Sequence, residues 1–235
     1  IMALPKLKNA TYELMLPSTG APVHYRPFLV KEQKLLMMAQ ESDDPKELEA
    51  AFSQILTDCV EEISEPHLMT MFDVEYVFLK IRGKSVGEVV NLKLLCEDDN
   101  ETYVDTEINL DDVHVQMTDD HTNVIDLNND IKLVMKYPCL GDMQGFNEMG
   151  EIKSLFSMIK RCVHEVHEGE QIYHRIDMSD TELDDFIDSM STENFESVGN
   201  FFQTMPKLKH VVEIENPKTK VKNEMVIEGL QSFFE

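Results

Sequence analysis

Apolar and polar residues alternate from Thr11 to Leu16 and predict a strand. Pro17-Ser18-Thr19-Gly20 supplies turn chemistry, and Val23 to Arg26 reads as the returning strand of a hairpin. Pro27 ends the pairing, because proline cannot donate a ladder hydrogen bond. From Phe28 the run LVKEQKLLMMAQES clusters its apolar residues for a helix, with Lys31, Glu32 and Lys34 expected on the solvated face. A second helix follows: Asp44 can cap it, Pro45 suits its first position, and Leu48, Ala51, Phe52, Ile55, Leu56, Cys59 and Val60 share a core face. A third helix is expected from about Met71 to Arg82, with Gly83 as its left-handed stop.

Beyond Gly83 the period shortens. Val89 to Cys96, Tyr103 to Ile108, Val113 to Met117 and Ile131 to Tyr137 read as strands, with polar turns at Glu97-Asp98-Asp99-Asn100 and at 119–123. With no helix between them, these strands predict a small antiparallel sheet. Helical spacing returns at Ile152, Leu155, Phe156, Ile159, Cys162 and Val163, with Gly169 expected to close that helix ahead of a short strand at Gln171 to Arg175. Two more helices are predicted, about Thr181 to Met190 and about Glu193 to Thr204, with Ser179 or Asp180 and then Thr192 as caps. Lys209 to Glu215, the turn Asn216-Pro217-Lys218, and Lys220 to Glu228 form a final hairpin ahead of Gly229. The expected fold class is therefore α+β: an N-terminal hairpin with helices, a central antiparallel β insert, and C-terminal helices ending in a hairpin. The domains expected are 2–85, the insert at 86–138, and 139–235 packed with 2–85 as one domain. Ile1, ahead of Met2, is set aside as outside the fold.

Charge narrows the choice of partners. Against 21 basic residues stand 45 acidic ones, a formal charge of -24. A surface of that sign repels phosphate backbones, since nucleic-acid binding draws on clustered Lys and Arg. No nucleic acid is expected as a partner. The acidity serves solubility or a preference for basic protein partners, and composition does not choose between them. Charges interrupt every apolar run well before the roughly 18 residues a membrane helix needs, and no export signal follows Met2. Cys59, Cys96, Cys139 and Cys162 form no CxxC pair and are expected as buried thiols in a reducing compartment.

Candidate chemistry fails on spacing. In His164-Glu165-Val166-His167-Glu168 the two histidines stand three residues apart, whereas a zinc helix of HExxH type needs four, so the segment reads as a solvated helix end. The pairs Asp98-Asp99, Asp111-Asp112, Asp119-Asp120 and Asp184-Asp185 do not fit a calcium loop and read as solvated turns. Ser18, Ser85 and Ser189 lack a GxSxG setting, and Gly83-Lys84-Ser85 lacks the upstream glycine of a phosphate loop. No catalytic residue, cofactor or metal is expected. The remaining candidates are partner-binding: the methionine pair Met37 and Met38 among 15 methionines, and the terminal Phe233 and Phe234, which would anchor a partner if exposed and pin the terminus if buried.

Several segments share an order seen elsewhere: Ala3-Leu4-Pro5-Lys6-Leu7, Tyr12-Glu13-Leu14, Leu16-Pro17-Ser18-Thr19-Gly20, and Tyr25-Arg26-Pro27-Phe28-Leu29-Val30-Lys31-Glu32. To these are added Phe72 through Leu79, Lys84-Ser85-Val86-Gly87-Glu88, Glu228-Gly229-Leu230, and Phe233-Phe234. In these residues the chain resembles the T4-type bacteriophage baseplate protein family, which includes a baseplate hub assembly catalyst and a hub assembly protein. The resemblance implies a late protein without catalytic residues that promotes assembly of the hub of a contractile tail. It would act as a transient chaperone of hub or tape-measure proteins in the host cytoplasm. A permanent hub subunit in the virion baseplate is the alternative, a metal-dependent hydrolase a second one, and self-association stays open.

Overall fold

The N-terminal hairpin pairs Tyr12–Met15 (β1) with Pro22–Tyr25 (β2), placing Leu14 opposite Val23. Gly20 turns the chain at φ 67°, a left-handed conformation that glycine adopts without steric cost. The computed structural model describes residues 9–42, 44–128, 130–143 and 150–233, and these contain six α-helices and eleven strands, all paired antiparallel. The fold is α+β, as predicted. It divides into two units, residues 1–116 with 207–235, and residues 117–206.

In the first unit, helices Val30–Ser42 (α1), Pro45–Cys59 (α2) and Met71–Val86 (α3) follow the hairpin. The predicted cap holds: the Asp44 side chain accepts from the Lys46 N–H at 2.9 Å. Ala51, Ile55, Leu56 and Cys59 are buried along α2, and Val60 beyond it bridges to Tyr25 of the hairpin. Helix α3 runs past the expected stop. Gly83 lies inside it, where a Cβ would sit 3.8 Å from the Leu110 side chain, and the chain leaves the helix at Gly87, at φ 139°. Gly83 thus leaves room for a Cβ at ordinary contact distance and ends nothing, while Gly87 supplies the unusual backbone.

Val89–Leu95 (β3) and Tyr103–Asn109 (β4) form a hairpin of their own, while His114–Gln116 (β5) pairs with Lys207–Glu215 (β10), which pairs with Lys222–Glu228 (β11). A shared core of Leu79, Leu92, Ile108, Leu110, Leu208 and Ile227 joins α3 to these strands. Lys80, buried beside them, donates to the carbonyls of Leu110, Asp111 and Val113.

Of the acidic pairs expected as solvated turns, Asp98-Asp99 is structural. Asp98 accepts hydrogen bonds from the side chains of Asn216, Thr219 and Asn223, and its N–H donates to Asn223, so the β3–β4 turn is tied to the β10–β11 turn. Asn216 is fully buried and Asn223 nearly so, so removing Asp98 would strand their amide hydrogens. Asp99 closes its own turn on Thr102 and Glu101. Hydrogen bonds from Thr219, Asn216 and Asn223 hold the Asp98 carboxyl below its ordinary 3.8, and those from Thr102 and Glu101 do the same for Asp99. A depressed folded pKa contributes stability that is complete above the ordinary value and lost as pH falls below it. Stability is therefore expected to drop as pH falls from 4 toward 3. Asp98→Asn should be less stable than the parent at pH 7 and should show a shallower acid loss, read from urea titrations at pH 7 and pH 3.

The second unit is a four-stranded sheet in the order Val124–Asn128 (β6), Ile131–Met135 (β7), Val163–Glu168 (β8), Gln171–His174 (β9), with helices Glu151–Cys162 (α4), Asp180–Asp188 (α5) and Thr192–Thr204 (α6). Ile125, Leu133, Met135, Ile159, Leu183 and Phe201 belong to its core. Ser179 and Glu182 form a reciprocal capping box on α5, and Ser191, rather than the expected Thr192, caps α6.

The domain boundaries fall elsewhere than expected. Strands of the anticipated 86–138 insert are shared out: β3, β4 and β5 belong to the first unit, while β6 and β7 join β8 and β9 in the second. Residues 139–206 accordingly leave the N-terminal domain, and 207–235 return to it. Local alternation marks a strand but not its partner, and the partner of β5 lies some 90 residues downstream in β10.

Candidate partner-binding surfaces

The segments that carry the family resemblance meet one another in the first unit. The Ser18 N–H and hydroxyl both donate to Asp73, a buried residue in the first turn of α3, which holds the hairpin tip on that helix. The Phe28 N–H donates to Ser85 Oγ at 2.7 Å, and Lys84 Nζ lies 5.6 Å from the centre of the Tyr12 ring. At the other end, Leu230 N–H reaches Glu75 at 3.5 Å, and Phe233 packs in the core that holds Leu79. Ala3 to Leu7 lie outside the described residues.

Within Tyr25 to Glu32 the central interaction is an ion pair between half-buried Arg26 and buried Glu32. Arg26 donates to Glu32 at 2.7 Å and to the Asp58 carbonyl at 2.8 Å, while Glu32 also accepts from the Leu29 N–H at the start of α1. The Glu32 side chain is only 1% exposed, which corrects its expected place on the solvated face of the helix. A carboxylate three residues beyond Leu29 satisfies an otherwise orphan donor, and this draws it inward. Burial pushes the Glu32 carboxyl up, but the bonds from Arg26, Leu29 and Lys31 outweigh it and hold the carboxyl below the ordinary range. These residues build the fold of the unit and leave little of themselves for a partner.

The residues singled out for partner binding separate. Met37 and Met38 are 61% and 68% exposed on α1, and Val30, about two turns back on the same face, is 67% exposed. Phe233 is fully buried in the core of the first unit, so it pins the terminus and is no docking anchor. Burying an aromatic ring in that core is worth more than leaving it in water, and Leu230 packs beside it. Phe234 lies outside the described residues.

The histidine segment also sits differently. Helix α4 ends at Cys162, and His164 to Glu168 run along β8, not at a helix end. Met135 pairs with Val163 and Val134 with Glu165, so His164 is the extra residue of a bulge. That bulge lets Val163 and Val166 both face the core, and their three-residue spacing imitates a helix. Gly169, at φ 58°, turns the β8–β9 hairpin. Glu165 lies 2.7 Å from His167 Nε2 and 3.1 Å from His174 Nδ1, with His164 at 3.7 Å, and the bond from His167 holds its carboxyl below the usual range. Among the described residues no group of three or more His, Cys, Asp or Glu side chains could hold a metal. Cys59, Cys96 and Cys162 are buried and Cys139 half-buried, all as free thiols, and burial pushes Cys59 and Cys162 up to about 12.

A cavity of about 320 Å³ opens in the second unit between the sheet and α5. Ile131, Val166 and Tyr173 line it from the sheet, and Met178, Leu183 and Phe186 from the segment of α5. Its remaining lining residues, Glu168, Asp177 and Glu182, are all acidic. Nothing in the linear pattern marks this site, because its walls come from three stretches of chain. The one available signal is the apolar content of β9 and the short 3-10 turn after it, where Ile172, Tyr173 and Ile176 are 44%, 43% and 92% exposed.

Against known families, the model described as T4 bacteriophage base plate protein matches residues 9–235. Curated proteins and solved structures give no match. No helix among the described residues is long and apolar enough to cross a membrane.

Proposed function

Since the chain belongs to the T4 bacteriophage base plate protein family, we propose that it is a non-enzymatic assembly factor that promotes formation of the baseplate hub. It acts by transiently covering apolar or basic surfaces of hub or tape-measure proteins in the host cytoplasm until their permanent partners replace it. The observation that carries this reading is the exposed pair Met37 and Met38 on a chain of formal charge -24. Unbranched thioethers repack against differing surfaces, and an acidic surround disfavours other acidic proteins and nucleic acid. A permanent hub subunit is the second reading, favoured by the family description itself, which is that of a base plate protein.

Affinity purification of the tagged chain from infected cells tests the proposal. Hub or tape-measure proteins are expected to copurify, and Met37→Glu/Met38→Glu should reduce their recovery severalfold. Both positions are exposed, so stability should change by no more than about 0.5 kcal/mol per substitution. Recovery of no baseplate protein would overturn the proposal.

A further inference from the structure

We infer that the cavity between β9 and α5 receives an apolar side chain carried between basic residues in an extended segment of a protein partner. The inference rests on the proposed role in assembly and assigns that role a second contact surface, in the other unit from Met37 and Met38.

Three features fix the chemistry of the occupant. The walls are apolar on both sides, from Val166 and Tyr173 on the sheet to Leu183 and Phe186 on α5, and about 320 Å³ accommodates a large aliphatic or aromatic side chain. Besides the Tyr173 hydroxyl, which donates to Glu168, the polar lining among the described residues consists of the carboxylates Glu168, Asp177 and Glu182, with no Lys or Arg. Glu168 and Asp177 are exposed at the rim, where they face solvent and any arriving cation. A segment with Lys or Arg on either side of the inserted residue meets that charge, whereas an acidic segment is repelled.

The third feature is the sheet edge. β9 is the terminal strand, paired only to β8 within its sheet, and β9 also supplies Tyr173 to the cavity wall. An extended segment can pair with such an edge while its alternate side chains turn toward the cavity. Ile176, next to Asp177 in sequence, is 92% exposed. Apolar floor, acidic rim and open strand thus lie within one hairpin and its neighbouring helix.

The test uses the full chain and a labelled hexapeptide alternating lysine with leucine and phenylalanine, followed by fluorescence anisotropy. Glu168→Lys/Asp177→Lys is expected to weaken binding about tenfold, the worth of two exposed charge pairs reversed. Glu193→Lys/Glu196→Lys on α6 makes the same change in net charge and should weaken it less than about twofold. A peptide with alanine in place of leucine and phenylalanine should bind at least about tenfold more weakly to the parent chain, because the apolar anchor is gone. Equal losses from the two charge reversals, or equal binding of the alanine peptide, would overturn the inference, since either marks unspecific attraction to an acidic protein. Loss of this inference while baseplate proteins still copurify would leave the assembly role standing. Peptide binding at the cavity without such copurification would reject the assembly role and keep the cavity.

Discussion

Phe233→Ala is expected to destabilise the protein by about 3–5 kcal/mol, the range for removing a buried aromatic ring and leaving its cavity. Phe233 is fully buried among Leu79, Leu92, Leu110 and Ile227, contributed by α3, β3, the β4–β5 connection and β11. The ring therefore joins elements that are distant in sequence. Hydrogen exchange in the β10–β11 pair, followed through a urea titration, would report the loss within the first unit. A change under about 0.5 kcal/mol would instead place Phe233 on the surface as a docking residue. Phe233→Leu, which keeps most of the apolar volume, should cost clearly less than the alanine variant.

Arg26→Ala should cost about 2–4 kcal/mol, because it leaves the Glu32 carboxylate buried without its principal partner. Lys31 Nζ, 3.1 Å from the same oxygen, compensates in part and keeps the figure below that of an isolated buried charge. The same substitution frees the Asp58 and Pro27 carbonyls, which Arg26 also engages. The paired variant Arg26→Met/Glu32→Leu should cost less than Arg26→Ala alone, since it removes both charges and returns apolar volume. Urea denaturation of the three chains checks the order. A paired variant as unstable as the single one would mean that the carbonyl contacts, and not the ion pair, hold the hairpin to α1.

Much of the local structure was legible because its causes are local. Asp44 and Pro45 start α2, Ser179 and Glu182 start α5, and the turn beginning at Asn216 joins β10 to β11, each through atoms only a few residues apart. What the sequence concealed depends on partners far along the chain. Asp98 looks like any turn aspartate until Asn216 and Asn223 arrive beside it from the last hairpin. The strand at Val163 to Glu168 passes for a helix end because one bulge at His164 alters its inward spacing. Strand β6 escaped notice between two polar turns, although Ile125 and Leu127 alternate into the core.

The candidate sites follow the same division. Met37 and Met38 could be named because adjacent methionines stand out in a sequence, whereas the burial of Phe233 depends on strands converging over it. The cavity beside β9 was illegible for a related reason, since its apolar walls resemble ordinary core positions when taken one at a time. Family resemblance pointed to the first unit, where its residues hold one another in place. The cavity lies in the second, within the family match but outside the short segments that carried the resemblance.

Quantitative mass spectrometry of purified virions, set beside hub assembly intermediates from the same infected cells, tests the proposed transient role most directly. The chain is expected in the intermediates together with hub or tape-measure proteins, and absent from finished particles. Its presence in finished virions at a fixed ratio to the hub proteins would contradict that role and make it a permanent baseplate subunit.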